Sequence, residues 1–546
     1  MDKAKKDGFI AQAGILAVAG ILSRIIGLLY NSPMTAIIGD EGNGYYEFAY
    51  RAYTIVLLVS SYSIPSAISK VVASHLAVGE YKNAHRIFRG ALLYVIGVGG
   101  LAGVIVFFFA DYLVDISSAA TVLRFFAPTI LLSGVLGVMR GYFQAHSTMV
   151  QTSISQILEQ IVNALVSILL AFWLTGLVPL EEATRRSVYG AAGGAIGTGI
   201  GVVTGLLFMW GIYTVNRKTV HRRMEGDKTP EELPYRTIFK MLLMVVTPFI
   251  LSTCIYNFNT YLNQTIFIHI MKLQEFSEVE VAIQNSAIGK ATKIANIPIA
   301  ISSAMSAALL PGIAGDFARK RLDLCRDKVG KAIRATMFIA IPAAVGIGAL
   351  AKPIMRLLYP QEATLGLSSE LLIIMAAGVI FYSLSTLSSA VLQGTGKMNR
   401  PVVNAAVALA TQTVVLLLSL LYTDIGTHAM ALALVTFAFL MCVLNGIAVY
   451  RHLEYHQEWD RTFMRPSLIA LAMGMVAYGA YHAVYHFVGR NAVSLLVAVA
   501  VGAGVYFVLA VRVRVLGAAE LKWLPHGERL TAVVNYIALQ SSENDI

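Results

Sequence analysis

Apolar segments about twenty residues long recur along nearly the whole chain, separated by short polar loops. A span of roughly 20 residues is what an α-helix needs to cross the ~30 Å hydrocarbon core of a bilayer. In hydrocarbon every backbone N–H and C=O must be satisfied within the segment, so a chain of this pattern folds as a helical membrane protein. About fourteen spans can be read, near 9–30, 45–68, 87–110, 120–143, 150–176, 188–214, 237–268, 284–310, 330–351, 367–392, 400–422, 427–450, 465–487 and 492–512. Only 13% of the 546 residues are charged, against about 25% in soluble proteins. The first span follows Met1-Asp2-Lys3-Ala4-Lys5-Lys6 at full length, with no cleavage signal.

The net charge of +11 reflects membrane topology, and no nucleic-acid partner is expected. Basic residues gather in alternate loops: Lys82, Arg86 and Arg89; Arg217, Lys218, Arg222 and Arg223; Arg319 to Lys328; Lys397 and Arg400; Arg451, Arg461 and Arg465. Acidic or mixed loops lie between them, with Lys352 and Arg356 the poorest fit. The positive-inside rule then places both termini in the cytoplasm, which an even number of spans satisfies. Cys254, Cys325 and Cys442 are too scattered for a disulfide framework or a metal site.

The chain repeats itself. Ser63-Ile64-Pro65-Ser66-Ala67-Ile68-Ser69 resembles Asn296-Ile297-Pro298-Ile299-Ala300-Ile301-Ser302, and the Gln144 stretch after span four resembles the Gln393 stretch after span ten. Both relate span n to span n+6, so the two halves form a parallel repeat. The expected architecture is all-α: two pseudo-symmetric six-helix lobes, 1–215 and 237–452, a linker over 216–236, and an extra helix pair with a tail over 453–546.

Charges inside the spans are the functional candidates, since a cation at the bilayer centre costs roughly 2.5–3.5 kcal/mol on insertion scales. Arg24, Arg51 and Lys293 lie in spans one, two and eight, with Lys290 one turn before Lys293. Three such cations suit a cavity built for an anion. Their bland alternatives are snorkelling for Arg24, interfacial anchoring for Arg51 and helix packing for Lys293. Glu159 in span five can serve as proton carrier, counter-ion for a cavity arginine or structural cap. Glu47 stands four residues before Arg51, the spacing of a plain ion pair. Asn257, Asn259, Asn263 and Gln264 in span seven, and Asn404, Thr411 and Gln412 in span eleven, can bind sugars or link helices. No Walker-type loop, His-Glu-x-x-His run or nucleophile elbow is present, so neither ATP-driven transport nor enzymatic activity is expected.

Ser23-Arg24-Ile25-Ile26-Gly27, Gly39-Asp40-Glu41-Gly42, Ile64 to Lys70, Gly141-Tyr142-Phe143-Gln144, Ser155 to Val162 and Ala343 to Ile347 carry a family resemblance over nearly the whole chain. The chain resembles the polysaccharide-transport branch of the multidrug/oligosaccharidyl-lipid/polysaccharide exporter superfamily, and within it the lipid II flippase (MurJ) and sporulation (SpoVB) families of Gram-positive bacteria. The resemblance implies a flippase of the bacterial plasma membrane that moves an undecaprenyl-pyrophosphate-linked glycan to the outer leaflet by alternating access, with lipid II the favoured cargo. It implies that Arg24 and Lys293 meet the pyrophosphate, Lys293 standing where flippases commonly carry arginine and so keeping the charge but losing the fork, and that the final helix pair forms a groove for the lipid tail. Arg51, which aligns less clearly with any family cation, and Lys290, on the face of Lys293, are further pyrophosphate candidates by their place in the spans, as Asn257 and Asn263 are for the head group. It favours a monomer, with cell-wall synthesis proteins as further partners, and no bound cofactor. Where some relatives carry an acid in span seven that helps hold sodium, this chain has Asn263, and spans seven, eleven and twelve carry no mid-membrane acid. Coupling through protons, sodium or the membrane potential therefore stays open. The rival readings are a flippase for another glycan such as teichoic acid or capsule units, a cation-coupled drug exporter, and a non-transporting scaffold.

Overall fold

The computed structural model describes residues 3–58, 64–146, 148–227, 232–513 and 515. Sixteen α-helices follow one another in this region: α1 Lys3–Leu57, α2 Ile64–Ala77, α3 Tyr81–Phe108, α4 Ala110–Leu113, α5 Ser117–Ala145, α6 Val150–Gly176, α7 Ala183–Glu225, α8 Tyr235–Leu273, α9 Glu278–Ala318, α10 Leu322–Ala349, α11 Ala351–Leu358, α12 Glu362–Gly394, α13 Asn399–Tyr422, α14 His428–Leu453, α15 Arg465–Val488 and α16 Asn491–Arg512. A π-helical turn, Asp460–Met464, precedes α15. Among the described residues, ten of these helices are long and apolar enough to cross a membrane. The other predicted spans fall on α1 with α2, on α8 and on α9, consistent with the fourteen expected.

Two details depart from the sequence reading. The sequence predicts a loop at Gly39-Asp40-Glu41-Gly42, but helix runs up to it and resumes at once. The reversal is confined to Gly39, at φ +72° and ψ 179°, which glycine adopts without a Cβ clash. Lys352 and Arg356 fit an outer loop poorly because they sit on the short helix α11.

The chain divides into two compact units, Met1–Ser286 and Ala287–Ile546. By sequence α8 opens the second repeat, yet it belongs to the first unit. Ile238 and Leu242 of α8 join a core built on Ile68, Ile87, Phe88 and Met139. The predicted linker is fastened to this unit as well: the Lys82 amide donates to Asp227 (2.7 Å) and the Leu233 amide donates to Asn83 (2.9 Å). A capping box starts α9, with the Ser277 amide donating to Glu280 (2.9 Å) and the Glu280 amide donating to Ser277 Oγ (3.3 Å). The Ser277 donors hold the Glu280 carboxyl below the usual carboxylate range.

The tightest packing in the first unit joins α6 and α7. Gly193, Gly197, Gly201 and Gly205 recur every four residues along α7, the small-residue pattern that lets membrane helices approach closely. A Cβ at Gly193 would lie 2.6 Å from the Ala171 amide nitrogen, and one at Gly201 would lie 2.7 Å from the Glu159 carbonyl oxygen. The outward faces are apolar and exposed, as in Ile154, Ile161, Leu165 and Leu169 of α6. Such a surface suits lipid. In the second unit Val329, Ile333, Leu392, Leu453, Met473 and Tyr506 form the corresponding core.

Candidate functional site

Arg24 lies well inside α1 and is exposed. It makes no hydrogen bond or ion pair among the described residues. Three residues on, Gly27 opens the helix surface, and among the described residues a Cβ there would meet only Gln160 Oε1 of α6, at 3.9 Å. Arg24 is therefore a long cation with its donors uncommitted, beside a gap lined by an amide.

Arg51 has a different setting. It is mostly covered, 3.9 Å from Glu47 one turn earlier, and its Nη1 donates to Asn285 (3.4 Å). Around it α1 packs against the first turns of α9, where Asn43 donates to Ser286 (2.8 Å) and Asn285 donates to the Gly44 carbonyl (3.4 Å). The i,i+4 pair expected for Glu47 and Arg51 is present, and Asn285 joins it. The tyrosines beside Arg51 stack with one another and with Phe126; the Tyr53 and Phe126 centroids are 4.7 Å apart.

Glu159 holds a partner that sequence reasoning misses. Arg140 of α5 donates through Nη2 to Glu159 Oε2 (2.6 Å) and to Ser155 Oγ (2.9 Å), and Ser155 donates to the Gly205 carbonyl of α7 (3.4 Å). Three helices are thus pinned through one ion pair whose side chains are only 14% and 19% exposed. Glu159 is thus ion-paired with Arg140. The available signal is the acid itself, since a carboxylate inside a span calls for a pairing partner.

In the second unit Lys290 is 1% exposed. Its Nζ donates to Thr364 (2.9 Å) and Gln361 (3.2 Å) and lies 5.4 Å from the centre of the Tyr359 ring. Those partners tie α9 to the start of α12, so the lysine expected to meet substrate is engaged within its own unit. Lys293, one turn along, is half-buried. Asn263 of α8 is buried and donates to Asn259 (3.1 Å), while Gln264 donates to the Phe48 carbonyl (3.3 Å). The Gln264 bond links α8 to α1, and the Asn263 bond stays within α8. The side chain of Asn257 lies outside the described residues. Asn404 of α13 donates to Asn445 of α14 (2.8 Å), and Asn445 donates to Ser389 of α12 (2.8 Å), another link between helices. Among the described residues no cluster of His, Cys, Asp or Glu could hold a metal ion.

Residues 83–498 match the family model described as lipid II flippase MurJ. The chain belongs to this family. The flippase reading of the sequence is thereby supported at the level of lipid-linked glycan transport, and the family is one of transporters, not enzymes. Lipid II flippase MurJ of Bacillus subtilis (strain 168) is 24% identical over 524 residues, covering 90% of this chain and 93% of the relative. Stage V sporulation protein B of the same organism is 24% identical over 529 residues, covering 95% and 98%. Among solved structures, a lipid II flippase MurJ in an inward closed conformation aligns with TM-score 0.68 at 16% identity, covering 91% of this chain and 97% of that one. An inward-facing multidrug resistance transporter of the MATE family aligns with TM-score 0.64 at 15% identity, covering 79% and 94%. At these identities the structural likeness shows a shared fold.

Proposed function

We propose that this protein flips lipid II, the undecaprenyl-pyrophosphate-linked peptidoglycan precursor, from the inner to the outer leaflet of the bacterial plasma membrane, with both termini in the cytoplasm. The observation that carries the reading is Arg24, exposed within a membrane helix and uncommitted to any described partner. A guanidinium presents a planar fork of N–H donors that binds phosphate oxygens bidentately. The free energy of keeping it in the span is offset when a pyrophosphate meets it.

In this mechanism Arg24 takes the pyrophosphate from the cytoplasmic side, and Lys293 supplies a second positive charge. Arg51, held by Glu47 and Asn285, contributes once those partners move. Lobe rocking then exposes the head group outward while the lipid tail stays in the bilayer, along the groove by α15 and α16. No bond is made or broken. Glu159 is engaged by Arg140, which favours its service as a counter-ion over that of a proton carrier. A second reading has specific support: the sporulation protein is as similar as the flippase, 24% in each case. The cargo would then be a lipid-linked glycan needed in sporulation.

The test is complementation in a bacterium whose own lipid II flippase can be switched off. Wild type and Arg24→Ala are compared at matched membrane levels. Rescue by wild type alone supports lipid II transport through Arg24. Rescue by both removes the pyrophosphate role of Arg24. Failure of well-expressed wild type, with rescue of a sporulation mutant, selects the second reading.

A further inference from the structure

The face of α6 opposite its exposed apolar side chains is polar. At roughly 100° per residue, Gln156 and Gln160 point away from Ile154, Ile161, Leu165 and Leu169. Gln160 Oε1 reaches the gap at Gly27. Gln156 Oε1 and Ser23 Oγ, the latter beside Arg24, are buried and hydrogen-bonded to nothing among the described residues. A buried acceptor left unpaired is costly, and native proteins leave few of them. The adjacent Glu159 and Ser155 both accept from Arg140, which fixes the rotation of this stretch of α6.

We propose that Gln156 and Gln160 form a subsite for the sugar ring attached to the pyrophosphate, accepting hydrogen bonds from its hydroxyls. The inference rests on the reading of Arg24 as the phosphate ligand and adds what reads the glycan. The distances suit the chemistry. Gly27 is three residues beyond Arg24, about 4.5 Å along the helix at 1.5 Å per residue. The first sugar is bonded directly to the terminal phosphate, so it must lie within about one ring of the phosphate ligand. Gln160 Oε1, beside Gly27, therefore lies less than one turn of α1 from Arg24. Glycine at position 27 matters because any larger side chain would fill the gap in front of Gln160. Amides suit this role because they accept from a hydroxyl without adding a charge that would repel pyrophosphate.

The experiment measures binding of two probes to purified full-length protein in nanodiscs, lipid II and bare undecaprenyl pyrophosphate, for wild type, Gln156→Leu/Gln160→Leu, Gly27→Leu and Arg24→Ala. The amide variants should weaken lipid II about tenfold, the effect of losing one or two hydrogen bonds, while bare undecaprenyl pyrophosphate changes less than about twofold. Gly27→Leu should show the same selective loss with both glutamines left in the sequence, and its Cβ meets no backbone. Arg24→Ala should weaken both probes. Equal loss of both probes in the amide variants, or unchanged lipid II binding, overturns the subsite. Wild-type protein that binds neither probe overturns the pyrophosphate reading itself, and the subsite with it.

Discussion

The two halves pin the same three helices by different chemistry. Gln144 corresponds to Gln393, 249 positions on, and at that offset Arg140 corresponds to Ser389, Ser155 to Asn404 and Glu159 to Ala408. In the first unit α5, α6 and α7 are joined through the Arg140–Glu159 ion pair and Ser155. In the second, α12, α13 and α14 are joined through the neutral chain Ser389, Asn445 and Asn404. The repeat therefore keeps the place of the clasp and not its charge. A neutral clasp holds the three helices of the second unit, whereas the first unit uses an ion pair at the same place. Its neighbour on α6, Gln160, lines the gap by Arg24, and a charge-fixed helix holds that face in one orientation.

The sharpest way to break the comparison is to remove one charge. Glu159→Ala leaves Arg140 covered without its counter-ion and should cost about 3 kcal/mol, the scale for orphaning a buried charge. Arg140→Met combined with Glu159→Leu should recover most of that stability, because apolar pairs often replace buried ion pairs at little cost. Unfolding in mixed micelles gives the stability, and a proteoliposome flipping assay gives the second readout. Recovered stability with lost flipping assigns the pair to positioning. Full recovery of both reduces it to a clasp like that of the second unit.

Asn445→Ala is the matching test on the neutral side. It removes hydrogen bonds to Ser389 and Asn404, and hydrogen bonds between membrane helices average about 0.6 kcal/mol each. A loss of about 1 kcal/mol is expected, well below that of Glu159→Ala. Equal losses would remove the distinction between the clasps. Lys290→Met should cost less again and leave flipping intact, since a methionine of similar volume needs none of the contacts to Thr364, Gln361 and Tyr359. Lost flipping with preserved stability would return Lys290 to the substrate path.

Much of this is legible in the sequence because hydropathy acts locally. The reading of 150–176 coincides with α6, and that of 465–487 ends one residue short of α15. The Glu47–Arg51 pair is legible because both residues sit on one helix, a turn apart. Arg140 is not: it lies near the end of its span, where a cation reads as topology, and its acid is nineteen residues away on the next helix. Lys290 looks available for the same reason. Gln361 and Thr364, which engage it, are about seventy residues distant and carry no charge to draw notice. The division into units is also hidden, because the repeat aligns α8 with the second half while its apolar face is buried in the first.

The smallest expected effect tests where the second unit keeps its ion pairs. Arg326–Glu454 (2.9 Å) and Asp316–Lys328 lie toward helix ends and loops. Asp316 lies near the end of α9, beyond the predicted span, and the Lys328 ammonium beside it holds its carboxyl below the usual range. A carboxyl whose folded-state pKa is depressed adds stability above its unfolded pKa, and that stability is lost as pH falls through the folded value. Lys328→Gln should therefore lower stability slightly at neutral pH. The gap from wild type should narrow as pH drops below the ordinary carboxylate range, where Asp316 is protonated in both states. Paired unfolding midpoints at neutral and acidic pH check this. A gap that persists unchanged into acid would mean that Lys328 acts through packing, and that the second unit draws nothing measurable from this pair.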